Sequence, residues 1–186
     1  MQKETARGFP IATVSVLLIT AIVTGLQFAF PGLLVTLRRD GAAFAQHECW
    51  RLITPLFVNA EGWRQIGFVF PAMLIVGVLA ERLFGSWRWL VLYFGGGIVG
   101  EVAGYAWKPV GAGASVAVAG LLGALGAWLI VDNRRPQGIA GGLVILVGAI
   151  VLTFVRDLHG PPILAGAAIG WWMLGREARE TVPKRG

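Results

Sequence analysis

Charge is what this chain has least of. Only 14% of its 186 residues are Asp, Glu, Lys or Arg, whereas a soluble domain carries roughly a quarter. That scarcity excludes an ordinary water-soluble globule. Cysteine is nearly absent too. The single Cys49 excludes an internal disulfide, and a lone thiol carries no metal-site signal. No HExxH pattern occurs, and the glycine-rich runs lack the following Lys-Ser/Thr of a phosphate-binding loop. No metal or organic cofactor is implied.

What the chain does have is apolar surface. It is 56% hydrophobic, with 27 Gly and 8 Trp, as expected where helices pack closely in a membrane and indoles sit at headgroup level. The formal charge is +6, but the basic residues flank apolar segments and form no stripe with interleaved aromatics, which argues against nucleic acid. The length fits one membrane domain over residues 1–186. The first apolar stretch lacks a small-x-small cleavage site followed by a hydrophilic mature chain, so it reads as a retained helix.

A spanning helix needs about 20 mostly apolar residues. The candidates are 11–30, 66–83, 89–107, 115–131, 139–155 and 161–174, the last extensible back to Asp157 so that His159 enters its first turn. The pattern predicts an all-α polytopic membrane protein of six helices, with five plus a re-entrant segment as the rival count. With the amino terminus in the cytoplasm, Lys3, Arg7, Arg82, Arg88, Arg134, Arg135, Arg176, Arg179, Lys184 and Arg185 lie inside. Arg38, Arg39, Arg51, Arg64, Lys108 and Arg156 lie outside. That bias places both short terminal tails in the cytoplasm. The connection 31–63 is long and mixes large apolar residues with Arg, Glu and His. It reads as short amphipathic helices partly embedded in the interface.

Two segments carry candidate chemistry, and hydropathy puts both at the outer face. In Gly111-Ala112-Gly113-Ala114-Ser115, small residues allow a bend before the fourth helix. Ser115 is then a helix N-cap at a packing hinge, or a nucleophile with free backbone N–H groups beside it for an oxyanion. In the second, His159 precedes Gly166 and Gly170, whose four-residue spacing makes a flat stripe on the sixth helix. That stripe can approach Ala119, Gly120, Gly123 and Ala127 of the fourth and bring imidazole to hydroxyl. Otherwise His159 is an interfacial histidine in a turn. Glu101, deep in the third helix, either satisfies a buried donor or lines the outer cavity.

These motifs together resemble the rhomboid family of intramembrane serine proteases over roughly residues 10–175. Trp50-Arg51 resembles the Trp-Arg motif of their first loop, and Glu81 with Gly85 the Glu-x-x-x-Gly end of their second helix. Gly113-Ala114-Ser115 matches their Gly-x-Ser, and His159 with Gly166 their sixth-helix base and the glycine seven residues on. The resemblance implies a six-helix rhomboid-like bundle, needing no cofactor, in which Ser115 and His159 form a dyad without an acid partner. It implies cleavage of transmembrane or membrane-proximal segments near the outer face, by a monomer whose partners are membrane lipids and transmembrane proteins. The small size and minimal terminal extensions point to a bacterial cytoplasmic membrane. Arg51 and Glu81 would be structural, Arg51 anchoring the first loop through interfacial hydrogen bonds or lipid headgroups.

The sequence departs from the family pattern at three places. Gln65 and Val69 stand where the family carries a His-x-x-x-Asn pair around the oxyanion. Gln65 keeps an amide donor and Val69 has none, and one missing donor costs about 3 kcal/mol of transition-state stabilisation. Val116 replaces the glycine that usually follows the serine, which would narrow the cavity. Pro162 replaces another glycine but is tolerable in a first helical turn. The rival function is a non-proteolytic rhomboid-like protein that binds transmembrane clients. A transporter fits less well, because no inverted repeat or interrupted helix pair is visible.

Overall fold

Apolar runs that leave water without sheet partners satisfy their backbone groups internally only as helices, and the long runs of this chain do so. The structure, a computed structural model, describes residues 8–133 and 135–180, the last four by backbone alone. Lys3, Arg7, Arg134, Lys184 and Arg185, used above to orient the chain, lie outside the described residues, as does the side chain of Arg179. In chain order the helices are α1 (Ile11–Ala29), α2 (Pro31–Leu37), α3 (Gly41–Ala45), α4 (Trp63–Ala72), α5 (Val78–Phe84), α6 (Ser86–Trp107), α7 (Ser115–Val131), α8 (Pro136–Phe154) and α9 (Gly160–Glu180). A π-helical turn over Met73–Gly77 joins α4 to α5, so Trp63–Phe84 is one span of 22 residues. It begins just beyond Pro71, which has no N–H to give the regular ladder.

Among the described residues, four spans are long and apolar enough to cross a membrane: Ile11–Ala29, Trp63–Phe84, Ser86–Trp107 and Pro136–Phe154. α7 is apolar but only 17 residues, about 26 Å against a hydrocarbon core of about 30 Å. It is also the most enclosed helix, buried almost continuously from Val116 to Ala127 and packed against α6, α8 and above all α9.

Glycine makes that enclosure possible. A Cβ on Gly166 would run into the Gly120 carbonyl, and one on Gly123 into the Ile163 carbonyl. On the other side of α7, a Cβ at Gly96 would stand 2.6 Å from the Gly120 Cα. Helices α6, α7 and α9 therefore touch backbone to backbone, as in small-residue membrane interfaces. Gly170 lies next along the same face of α9, against Ala124.

The long connection contains α2, α3 and two 3-10 turns, Cys49–Leu52 and Thr54–Phe57. It is tied to the segment before α7 by a two-residue antiparallel ladder of β1 (Arg39–Asp40) with β2 (Val110–Gly111), pairing Arg39 with Gly111. Glu81 closes the opposite end. Its carboxylate accepts the N–H groups of Ala12 (2.8 Å) and Thr13 (2.7 Å) and the Ser86 hydroxyl (2.6 Å), so one acid caps α1 and joins it to the start of α6. Gly85, between α5 and α6, adopts φ 82°, which a side chain would strain.

One boundary differs from expectation. α9 begins at Gly160, so His159 sits in the turn ahead of the helix and not in its first turn. Pro161 and Pro162 occupy the first turn, where missing N–H groups cost nothing.

Gly166→Val is expected to lower stability by about 3 kcal/mol, read as a fall in the detergent unfolding midpoint. Gly148 meets nothing within 4 Å, so Gly148→Ala is expected to leave the midpoint unchanged or raise it slightly.

Candidate active site

The sequence opens α7 with serine after a run of residues too small to fill space, and the fold uses that emptiness. Ser115 is the first residue of α7, so its backbone N–H has no intrahelical acceptor. His159 precedes α9, and the α7–α9 contact brings their starting ends together. Ser115 Oγ and His159 Nε2 are 3.0 Å apart, a hydrogen bond in which the hydroxyl donates when Nε2 is unprotonated. The pair opens on a cavity of about 330 Å³ lined by Glu61, Arg64, Gln65, Phe68, Ser115 and His159.

A third group completes the cluster. The other ring nitrogen, His159 Nδ1, lies 2.7 Å from Asp157 Oδ1. The same oxygen accepts the His159 backbone N–H at 2.9 Å. Both side chains are partly open to water, at 40% for His159 and 37% for Asp157. Burial pushes the Asp157 carboxyl upward, but hydrogen bonds from the His159 backbone and ring, with the neighbouring His159 and Lys108 charges, outweigh it and hold the group below its ordinary 3.8. Sequence reading missed Asp157, although the Asp-x-His spacing suits an Asx-type contact two residues on.

Gln65, on α4, lines the same cavity as the serine. Its Nε2 lies 3.4 Å from the Ala112 carbonyl, and its Oε1 accepts the Glu61 N–H at 3.1 Å. A Cβ at Gly113 would collide with that amide and stand 3.2 Å from Ser115 Oγ, so the glycine makes room for both polar groups. Val69 is fully buried in the hydrophobic core and does not line the cavity, a place taken by Phe68. Val116 does not narrow the cavity either. Its side chain fills the space over Gly100 on α6.

Besides the β1–β2 ladder, two side chains fix the segment leading to Ser115. Asn59 bridges to Gly113 and is held to α1 by two bonds with Gln27 (2.7 and 3.1 Å) and one to Thr24 (2.9 Å). Arg39 pairs with Glu101 at 2.7 Å and donates to the Lys108 carbonyl at 2.9 Å. Glu101 is wholly buried and faces this arginine, not the cavity. Arg51 is likewise satisfied inside the protein. It pairs with Glu48 (2.6 Å) and donates to the carbonyls of Val35 (2.9 Å) and Arg38 (2.7 Å), while Trp50 is exposed. Among the described residues no His/Cys/Asp/Glu group is arranged to hold a metal.

Apolar helices of membrane length define an integral membrane protein, and its Ser115–His159 contact lies at a cavity lined by polar side chains. Residues 46–176 match the Rhomboid domain family. The Putative rhomboid protease YdcA of Bacillus subtilis is 34% identical over 161 residues, covering 81% of this chain and 79% of that protein. Rhomboid protease GluP of the same organism is 38% identical over 98 residues, covering 52% of this chain but 19% of that longer protein. Rhomboid-like protease 3 of Toxoplasma gondii is 33% identical over 140 residues, 68% of this chain and 52% of that protein. The chain belongs to the rhomboid family.

A carboxylate with a depressed pKa stabilises the fold while ionised and loses that contribution as pH falls through its folded value. The gap in unfolding midpoint between the wild type and Asp157→Asn is therefore expected to close as pH falls below about 4, where the carboxylate takes up its proton. A gap that widens over that acid range would contradict this assignment.

Proposed function

We propose that this protein is an intramembrane serine endopeptidase that cleaves transmembrane or membrane-proximal segments near the outer membrane face. The observation carrying the reading is the 3.0 Å contact between Ser115 Oγ and His159 Nε2 at a cavity with polar walls. Inside a membrane protein such a pair is costly to assemble without a use. Ser115 Oγ attacks the scissile carbonyl while His159 Nε2 takes its proton. The same proton goes to the leaving amine, and water, deprotonated by His159, then hydrolyses the acyl-enzyme. The Ser115 N–H and the Gln65 amide are the donors available to the oxyanion.

In this reading α7 and α9 complete a count of six spans, both termini face the cytoplasm, and the connection between α1 and α4 lies partly in the outer leaflet. The short α7 recesses Ser115 below the membrane surface, with the cavity supplying its water. The whole of residues 1–186 acts as one membrane domain, as a monomer surrounded by lipid, in a bacterial cytoplasmic membrane. Substrates or clients are transmembrane proteins, and the chemistry requires no cofactor. A second reading, client binding without cleavage, draws support from Val69, an apolar side chain turned into the core that offers the oxyanion nothing.

A fluorophosphonate probe separates the two. The wild type is expected to label, Ser115→Ala and His159→Ala to lose labelling, and Gln65→Ala to slow it roughly 100-fold. Folded wild-type protein that resists this probe and a smaller isocoumarin would leave only the client-binding reading.

A further inference from the structure

The imidazole of His159 has two nitrogens, and only one of them serves the serine. For Nε2 to accept the Ser115 proton, it must be unprotonated and aimed at Oγ. The neutral ring must then carry its proton on Nδ1, the less favoured site for an unconstrained histidine. Something has to hold it there.

We propose that Asp157 is a positioning residue for the reaction, holding the His159 ring in the Nδ1–H form with Nε2 turned to Ser115. This inference rests on the serine-peptidase reading above. Three distances carry it: 2.7 Å from Nδ1 to Asp157 Oδ1, 2.9 Å from the His159 N–H to the same oxygen, and 3.0 Å from Nε2 to Ser115 Oγ. The carboxylate and the hydroxyl lie at opposite ends of one ring, the order in which an acid, a base and a nucleophile cooperate.

The backbone builds the acid into place. The Asp157 N–H donates to the Leu152 carbonyl at 2.8 Å, and the Asp157 carbonyl accepts the Gly160 N–H at 3.3 Å. Arg156, with φ 58°, makes the left-handed step that folds residues 157–159 back beneath α8. An acid two residues before the histidine is thus fixed to it by the shortest possible route, whereas the serine comes from another helix.

Proton transfer balances without another group. Oγ–H breaks as Oγ bonds to the carbonyl carbon, Nε2–H forms, and the imidazolium donates from Nδ1 to the carboxylate, which stays ionised. The proton then leaves Nε2 for the departing amine. Other charges face this cluster: Arg64 and Glu61 across the cavity, and Lys108 toward the carboxylate. Because water reaches both Asp157 and His159, the role is mainly orientation, with a charge effect weakened by solvent.

Two measurements test this on the full chain in detergent. In the first, the ring nitrogens of histidine are labelled with 15N in a His47→Gln background, leaving His159 as the one histidine observed. At a pH where the ring is neutral, the Nδ1–H form is expected to dominate, and Asp157→Ala is expected to shift the population to Nε2–H. In the second, the rate of fluorophosphonate labelling is followed against pH. Asp157→Asn keeps an oxygen for the His159 N–H and hence the turn, yet is expected to label about 10- to 100-fold more slowly. A wild-type ring found as Nε2–H, or an Asn variant with an unchanged labelling rate, would reduce Asp157 to a turn residue and overturn the proposal. Failure of the wild type to label while the Nδ1–H form persists would sink the peptidase reading and leave the positioning intact.

Discussion

The site hangs on the backbone contact between α7 and α9. Gly120, Gly123 and Gly166 remove the side chains that would keep these helices apart, and the carbonyls of Gly120 and Ile163 take up the vacated space. At such range, dispersion and dipole contacts add up without help from water, which gives no hydrophobic drive between helices in lipid. Ser115 lies five residues before Gly120, and His159 seven before Gly166. Locking the stripes together therefore aligns the two starting ends and sets hydroxyl against imidazole.

A second constraint acts on the segment between α6 and α7, which has no helix to stiffen it. Asn59, Arg39 and the β1–β2 ladder hold it to the long connection and, through Gln27 and Thr24, to α1. Burying Arg39 with Glu101 is no great source of stability, because desolvation offsets most of the attraction. Its use is geometric. The guanidinium spans Lys108 and Glu101, so the chain reaches Gly113 and Ser115 from one direction. Glu81 does comparable work at the far end, where three donors from two helices converge on one carboxylate.

Much of this was legible in the sequence because membrane helices leave so few alternatives. Apolar runs coincide with the four helices long enough to cross a membrane. The four-residue spacing of Gly166 and Gly170 pointed to a close helix contact, and family motifs pointed to Ser115 and His159. Tertiary hydrogen bonding was not legible. Nothing in the spacing of Arg39 and Glu101 pairs them, since their meeting depends on how a long connection folds. The same holds for Asn59, which looks like any loop asparagine until Gly113 arrives beside it. Val116 misled for a related reason. Position after the serine is a matter of sequence, but the direction of its side chain is set by helical phase, which turns it to Gly100. The early-start expectation for α9 failed on chemistry that was visible: two prolines suit a first helical turn, which places His159 just before it.

The central claim is that glycine packing between α7 and α9 sets the serine–histidine geometry. Its most direct test is the fluorophosphonate labelling rate of Gly166→Ala, measured on folded protein well below its unfolding midpoint. The account predicts a rate at least about tenfold below wild type, because one methyl group forces the helices apart and draws His159 from Ser115. A Gly166→Ala protein that is equally stable and labels at the wild-type rate would contradict it.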